Sequence, residues 1–139
     1  MSRKPHRPKD TPPEWGNLKF MEGPNRGKYP YCHSLFWDGE FKLVVDPVDS
    51  EDMRRLARNH RVHAVLLSHY HEDHIGGLYL FPDAKLHMHP MDSPPIADKK
   101  MFLDYYGIDP ASEEGKSFCR LLDDFFHFSP RATDVEPVS

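Results

Sequence analysis

The most informative segment of the sequence is Ser68-His69-Tyr70-His71-Glu72-Asp73-His74-Ile75-Gly76-Gly77. It places four potential metal-binding side chains within six positions. Residues 62–67 before it are mostly apolar and predict a buried strand, and the glycine pair after it predicts a turn. The metal-binding side chains should therefore lie on a loop at the C-terminal end of a strand, a usual place for a site in α/β proteins.

The spacing of these side chains favours a catalytic metal site. Side chains two positions apart in extended chain point the same way, so His69 and His71 can bind one cation from one side. Asp73 and His74 lie beyond the point where the loop must turn, so they can face a second cation. Imidazole together with carboxylate suits zinc, iron or a similar divalent metal at a catalytic site. The alternative is a polar surface loop that is merely rich in histidine.

With these residues, the loop resembles the signature loop of the metallo-β-lactamase fold hydrolases, which carry His-x-His-x-Asp-His. The resemblance implies that His69 and His71 bind one metal ion and that Asp73 and His74 bind another. It implies two zinc ions, with iron or manganese as alternatives, and it gives no role to Glu72. The reaction it implies is hydrolysis of a small-molecule ester, thioester, lactam or phosphodiester by metal-bound hydroxide, which Asp73 would also orient.

The same resemblance implies a fold. It covers residues 28–90 and corresponds to the N-terminal half of a metallo-β-lactamase-like αββα sandwich: an α/β domain whose mixed sheet carries helices on one face. The second half of that family supplies further metal ligands, which this chain is expected to lack. The alternative function is therefore a truncated, non-catalytic metal-binding or self-associating module. Its partner would be a second copy or a complementing second half that covers the open sheet face.

The residues before the loop predict a short strand, a hairpin and a helix. Asn17–Met21 is expected to be an edge strand, and Asp38-Gly39 joins strands over residues 31–37 and 41–45. Asp46 ends the second strand of the hairpin. By resemblance Asp46 braces the metal loop through hydrogen bonds, and the alternative is a simple strand-end cap. Asp49-Ser50-Glu51-Asp52 then predicts the start of a helix.

The residues after the loop predict one more strand and two helices. Residues 84–90 should form the strand, on which His87 and His89 are either a second pair of ligands or ordinary rim residues. One helix is expected over residues 96–106 and another from Ser112, with an apolar stripe that includes Phe125 and Phe126. His127 is interpreted as a residue of that amphipathic helix and not as a ligand, and His60 and His63 as helix-end and strand residues.

Composition limits the remaining classes of function. The chain has 139 residues and a formal charge of −4, which suits one small domain without general affinity for polyanions. We expect a basic, proline-rich arm over residues 1–16, a domain over 17–130 and a polar tail over 131–139. Nucleic-acid binding by the arm is a weak alternative, because aromatic residues are not interleaved with its basic ones. Cys32 and Cys119 suit a reducing compartment, and no stretch predicts a signal peptide or a membrane span. The expected location is the cytoplasm.

Overall fold

The computed structural model describes residues 14–134, which form one six-stranded mixed sheet and four α-helices. The strands are β1 (Glu14–Trp15), β2 (Leu18–Met21), β3 (Ser34–Asp38), β4 (Lys42–Val45), β5 (Ala64–Leu66) and β6 (Lys85–His87). The helices are α1 (Glu51–Asn59), α2 (Ser93–Ala97), α3 (Lys99–Tyr106) and α4 (Glu113–Asp124). Spatial order follows chain order: β1 to β4 pair antiparallel, and β4, β5 and β6 run parallel.

The buried face of the sheet is built from one row of side chains that crosses four strands. Phe36, Val44, Val65 and Leu86 lie opposite one another in the register and are at most 3% exposed. The core that they form also contains Met53 and Leu56 of α1, Phe102 and Leu103 of α3, and Leu122 of α4. The helices therefore cover this face, as the sequence predicts, and each fully buried side chain contributes roughly 1.5–3 kcal/mol.

On the opposite face of the sheet, none of the helices within residues 14–134 covers the apolar side chains. We call it the open sheet face; its apolar members in register are Leu18, Phe20, Leu35, Trp37, Leu43, Val45, Ala64 and Leu66. Trp37 is 41% exposed and Leu66 is 39% exposed, whereas the central row of the buried face is closed to solvent. This difference between the two faces is the one expected for a sheet with helices on one side.

Local signals in the sequence explain the start of α1. The Ser50 hydroxyl accepts a hydrogen bond of 3.0 Å from the Met53 backbone N–H, and Glu51 and Asp52 occupy the first turn. Carboxylates near the N-terminus of a helix and a basic residue near its C-terminus, here Arg58, interact favourably with the helix dipole. Helix α1 connects parallel strands β4 and β5, so it sets the crossover that brings their C-terminal ends to the same edge.

Three expectations about strands need correction. Leu18–Met21 is a strand, but β1 pairs with its outer side, so it is not at the edge. The first hairpin strand is Ser34–Asp38 rather than residues 31–37. The last strand is only Lys85–His87, because the chain leaves the ladder before Pro90 and His89 caps a short 3-10 helix instead.

The helical expectations also change in two places. The helix predicted over residues 96–106 is two helices, because Asp98 has extended backbone and its carboxylate caps α3 by accepting from the Lys100 N–H at 2.9 Å. Placing His127 on the last helix was wrong. Helix α4 ends at Asp124, and His127 has a left-handed φ of 53° and lies 3.2 Å from Asp49 Oδ2 through Nε2.

The ends of the predicted domain can be followed only in part. Residues 1–13 of the basic arm and residues 135–139 of the tail lie outside the described residues, while Glu14–Trp15 pair with β2. In the tail, the Asp134 carboxylate accepts from the Leu86 N–H at 2.9 Å and thus attaches to β6. Within residues 14–134, no helix has the length and apolar character that crossing a membrane requires.

Candidate metal centre

The site lies where two parallel strands end side by side. Asp46 follows β4, and the histidine loop follows β5. The Asp46 N–H donates to the Leu66 carbonyl at 3.0 Å, which joins the two strand ends directly. Side chains that are 20 or more positions apart in the chain therefore meet at one edge of the sheet.

Three of the four predicted ligands come together in this loop. His69, His71 and Asp73 each offer a ligand atom, and these atoms lie within 4.8 Å of one another. The two imidazole rings are 4.5 Å apart between centroids and nearly perpendicular, at 84°. Two imidazole nitrogens and one carboxylate oxygen on a partly exposed loop fit a borderline divalent metal such as zinc at an open site.

His74, the fourth predicted ligand, lies beside this group. Its ring centroid is 4.0 Å from that of His69, and its Nε2 is 3.6 Å from Asp73 Oδ2. The resemblance paired Asp73 with His74 at a separate metal, whereas the structure groups Asp73 with His69 and His71 and leaves His74 adjacent. All four predicted side chains therefore face one small volume.

Asp46 braces the loop from behind, which confirms the role inferred for it. Its Oδ1 accepts from the Ser68 backbone N–H at 2.7 Å, and its Oδ2 accepts from the Ser68 hydroxyl at 2.6 Å. Oδ2 is also 3.0 Å from His74 Nδ1. The carboxylate is only 7% exposed, so these bonds are made where water competes poorly.

The backbone of Asp46 is held as firmly as its side chain. Its φ is 51°, a left-handed conformation that aspartate and asparagine tolerate better than most residues. Its carbonyl accepts from the Ser34 hydroxyl at 2.6 Å and contacts Cys32 Sγ at 3.6 Å. A strained residue persists where its surroundings over-determine it, and such residues cluster at functional sites.

This network fixes which nitrogen of two histidines is free. The Ser68 hydroxyl gives its proton to Asp46, so at 2.8 Å it accepts from His69 Nδ1–H. The ionised Asp46 likewise accepts from His74 Nδ1–H. Both rings therefore keep Nε2 available, which is the arrangement that a carboxylate-oriented metal histidine needs.

The pKa values of the metal-free site follow from burial and neighbouring charge. Desolvation and the positive charges of His74 and His71 lower the pKa of His69, which favours its neutral, metal-binding form. Burial opposes charge on Asp46 and His74 as well. Their mutual hydrogen bond, with Ser68 helping Asp46, outweighs burial and lowers the pKa of Asp46 while raising the pKa of His74. The metal-free pair is therefore ionic at mildly acidic pH.

Of the glycine pair after the loop, Gly77 is required by close packing. A Cβ on Gly77 would lie 2.7 Å from the Val48 carbonyl oxygen, a distance that no real side chain adopts. The Gly77 N–H donates to the Pro47 carbonyl at 2.9 Å. At Gly76 the nearest atom would be 3.6 Å away, which is ordinary contact. Gly77 thus lets the end of the loop pack on the segment that follows Asp46.

Glu72 and Tyr106 are site residues that the sequence reasoning missed. Glu72, to which the resemblance gave no role, is 5% exposed and accepts a 2.7 Å hydrogen bond from the Tyr106 hydroxyl. The Tyr106 ring stacks on His71 at 5.8 Å and 24°. The only signal in the sequence was a carboxylate inside the motif, and its partner is 34 positions away.

The other candidate histidines have separate contacts. His89 Nδ1 accepts from the Met91 N–H at 3.1 Å, and His63 Nδ1 accepts from the Lys42 N–H at 2.9 Å. His60 caps α1, His87 ends β6, and His127 contacts Asp49. Among the residues that the structure describes, the one group that could hold a metal does not include them.

Comparison with known proteins identifies the family. The family model described as "Metallo-beta-lactamase superfamily" matches residues 33–132, a span that contains Asp46, the whole histidine loop and helices α1 to α4. No curated protein and no solved structure shows a significant match to the chain. The matched span is well over half of the 139 residues. Together with a sheet edge that carries His-x-His-x-Asp-His, it shows that the chain belongs to the metallo-β-lactamase superfamily.

Proposed function

We propose that the protein is a metal-dependent hydrolase with a zinc site, binuclear when complete, on the histidine loop. The observation that carries this proposal is the convergence of ligand atoms from His69, His71 and Asp73 within 4.8 Å at the end of β5. Iron or manganese are alternative metals for the same donors. The substrate class is a small molecule with an ester, thioester, lactam or phosphodiester bond, and the proposed location is the cytoplasm, which suits the free thiols of Cys32 and Cys119.

The chain's own residues would act in distinct ways. His69 and His74 present Nε2 because Ser68 and Asp46 hold their Nδ1 protons. Asp73 is half-buried at the front of the group, where its carboxylate can bind metal and orient an attacking water. A bound divalent metal would supply Lewis-acid activation of water and of the scissile group.

Asp73→Ala tests this function. We expect the rate of zinc-dependent hydrolysis to fall about 100-fold or more in this variant. A side chain that orients the attacking water and assists its proton transfer typically contributes that much. Ester, lactone, thioester, β-lactam and phosphodiester substrates would be assayed with added zinc. Asp83→Ala, which removes an exposed carboxylate from the turn before β6, is the matched control. Equal activity of wild type and Asp73→Ala would contradict the proposal.

The open sheet face supports a second candidate function. A non-catalytic metal-binding module that associates through this face would explain why Trp37 and Leu66 are about 40% exposed on a sheet whose other side packs against the helices. The proposed partner is a second copy or a complementing second half of the same fold. This candidate predicts metal binding without turnover, so the assays above distinguish it from the hydrolase.

A further inference from the structure

The histidines of the loop are oriented in two different ways. His69 and His74 are each fixed by a hydrogen bond at Nδ1. Among residues 14–134, no hydrogen bond reaches either ring nitrogen of His71. Its ring is instead packed by aromatic side chains: Tyr106 lies nearly parallel to it at 5.8 Å, and Tyr70 meets it edge-on at 4.8 Å. Because His71 is exposed, this packing is what limits its rotation.

Tyr106 is itself held from two sides. Its hydroxyl donates to Glu72 Oε1 at 2.7 Å. Its ring packs against Phe102 at 5.9 Å and Phe118 at 5.5 Å, which attaches it to the core. Tyr106 ends α3, and Glu72 directly follows His71 in a one-turn 3-10 helix. The contact therefore joins a rigid helix to the residue next to a candidate ligand.

The buried state of Glu72 indicates that this contact is specific. A carboxylate that is 5% exposed is costly unless it is hydrogen-bonded, and the Tyr106 hydroxyl is its hydrogen-bonding side chain. The residues on either side of Glu72, His71 and Asp73, are more exposed than Glu72 itself. Solubility of the loop therefore does not explain why the Glu72 carboxylate points inward. The bond instead sets the distance between α3 and the loop.

We propose that Tyr106 and Glu72 are a positioning pair that presets the His71 ring for metal binding. The proposal deepens the proposed function and rests on it for the metal. Neither residue needs to touch the metal: Glu72 fixes the phenol, and the phenol ring fixes the imidazole. This is the role that a hydrogen-bonded carboxylate or carbonyl plays for other metal-binding histidines, here transmitted through a stacked ring.

The experiment is a cobalt(II) titration of the metal-free full chain, followed by visible absorption. Tyr106→Phe keeps the ring and removes the hydroxyl, and we expect it to weaken cobalt binding about tenfold, the lower end of what loss of an orienting partner costs. Tyr105→Phe is the matched control: it removes a neighbouring hydroxyl of α3 that donates to the Met91 carbonyl at 2.8 Å. We expect Tyr105→Phe to bind cobalt with wild-type affinity.

A second readout needs no metal. Removing the Tyr106 ring with Tyr106→Leu should shift the imidazole proton resonances of His71 in the metal-free protein, because the ring current disappears. The His63 resonances, beside Phe41 at 5.2 Å, should stay in place and show that the fold is intact.

The outcomes separate the inference from the function. Cobalt binding that is equal in wild type and Tyr106→Phe would overturn the positioning pair and leave the metal function standing. A wild type that binds no cobalt would overturn the proposed function, and an unshifted His71 resonance would then overturn the pair as well.

Discussion

Replacing Asp46 with asparagine tests the brace behind the loop. The change preserves size and suits the left-handed backbone, which asparagine also tolerates. The amide oxygen can still accept from the Ser68 N–H, and the amide nitrogen can donate to the Ser68 hydroxyl. It cannot accept from His74 Nδ1–H, so Asp46→Asn breaks one bond of the three. The change also frees the Ser68 hydroxyl proton, which can then be donated to His69 Nδ1.

The loss of the bond to His74 sets the expected loss of stability. A hydrogen bond to a charged group contributes about 1.5–3 kcal/mol, so the free energy of unfolding of Asp46→Asn should fall by about 2 kcal/mol. Asp46→Ala loses all three bonds to this carboxylate, at about 1.5–3 kcal/mol each. It also places alanine in left-handed backbone at about 1–2 kcal/mol, so the total approaches the whole stability of a marginal domain. Asparagine is therefore the informative variant.

The same change should weaken metal binding. In Asp46→Asn, no side chain accepts the His74 Nδ1 proton, so the ring is no longer held with Nε2 beside Asp73. We therefore expect zinc affinity to fall about 10–100-fold. Denaturant unfolding in chelator and zinc titration calorimetry would measure the two effects. Asp38→Asn is the control, since this strand-end carboxylate pairs with Lys19 and Lys42 at the far end of β3. Wild-type stability and zinc affinity in Asp46→Asn would show that Asp46 does not brace the loop.

Gly77→Ala should destabilise the protein by about 1–3 kcal/mol through its clash with the Val48 carbonyl, whereas Gly76→Ala should be close to wild type in thermal unfolding. Because folding lowers the pKa of Asp46, its ionised carboxylate stabilises the protein, and this stabilisation is lost as pH falls through the pKa of Asp46. Because folding raises the pKa of His74, its protonated ring also stabilises the protein, and this stabilisation is lost as pH rises through the pKa of His74. The metal-free protein should thus be most stable between about pH 4 and 6.5 in denaturant series, and a flat profile would contradict the ionic pair. Light scattering at increasing concentration should show self-association through the open sheet face, and a monomer at all concentrations would contradict it.

The parts of the site that are local in the chain were predictable from the sequence. Ser68 to Gly77 carries its chemistry, its preceding strand and its turn within a few positions. These signals need only the period of a strand and the donor preferences of a metal. The role of Asp46 was assigned by resemblance to the family, and the structure places it beside the loop because parallel strands end at the same edge.

The parts that depend on long-range contacts were not predictable. Glu72 acquires its role from Tyr106, and His127 acquires its position from Asp49, 78 positions away. The periodicity that placed His127 on a helix continues past Asp124, where the chain turns and packs Phe126 into the core. Apolar spacing alone does not tell a helix end from a loop that buries its side chains.

We propose that His69, His71 and Asp73 form a metal-binding group, and measuring the metal content of the purified protein is the decisive test. Elemental analysis after zinc loading and removal of free metal would compare wild type with the variant that carries both His69→Ala and His71→Ala. His87→Ala with His89→Ala is the control, since these histidines lie outside the group. We expect the wild type and the control to retain zinc and the His69/His71 variant to lose most of it. Equal zinc in all three proteins would contradict the account and move the metal away from the loop.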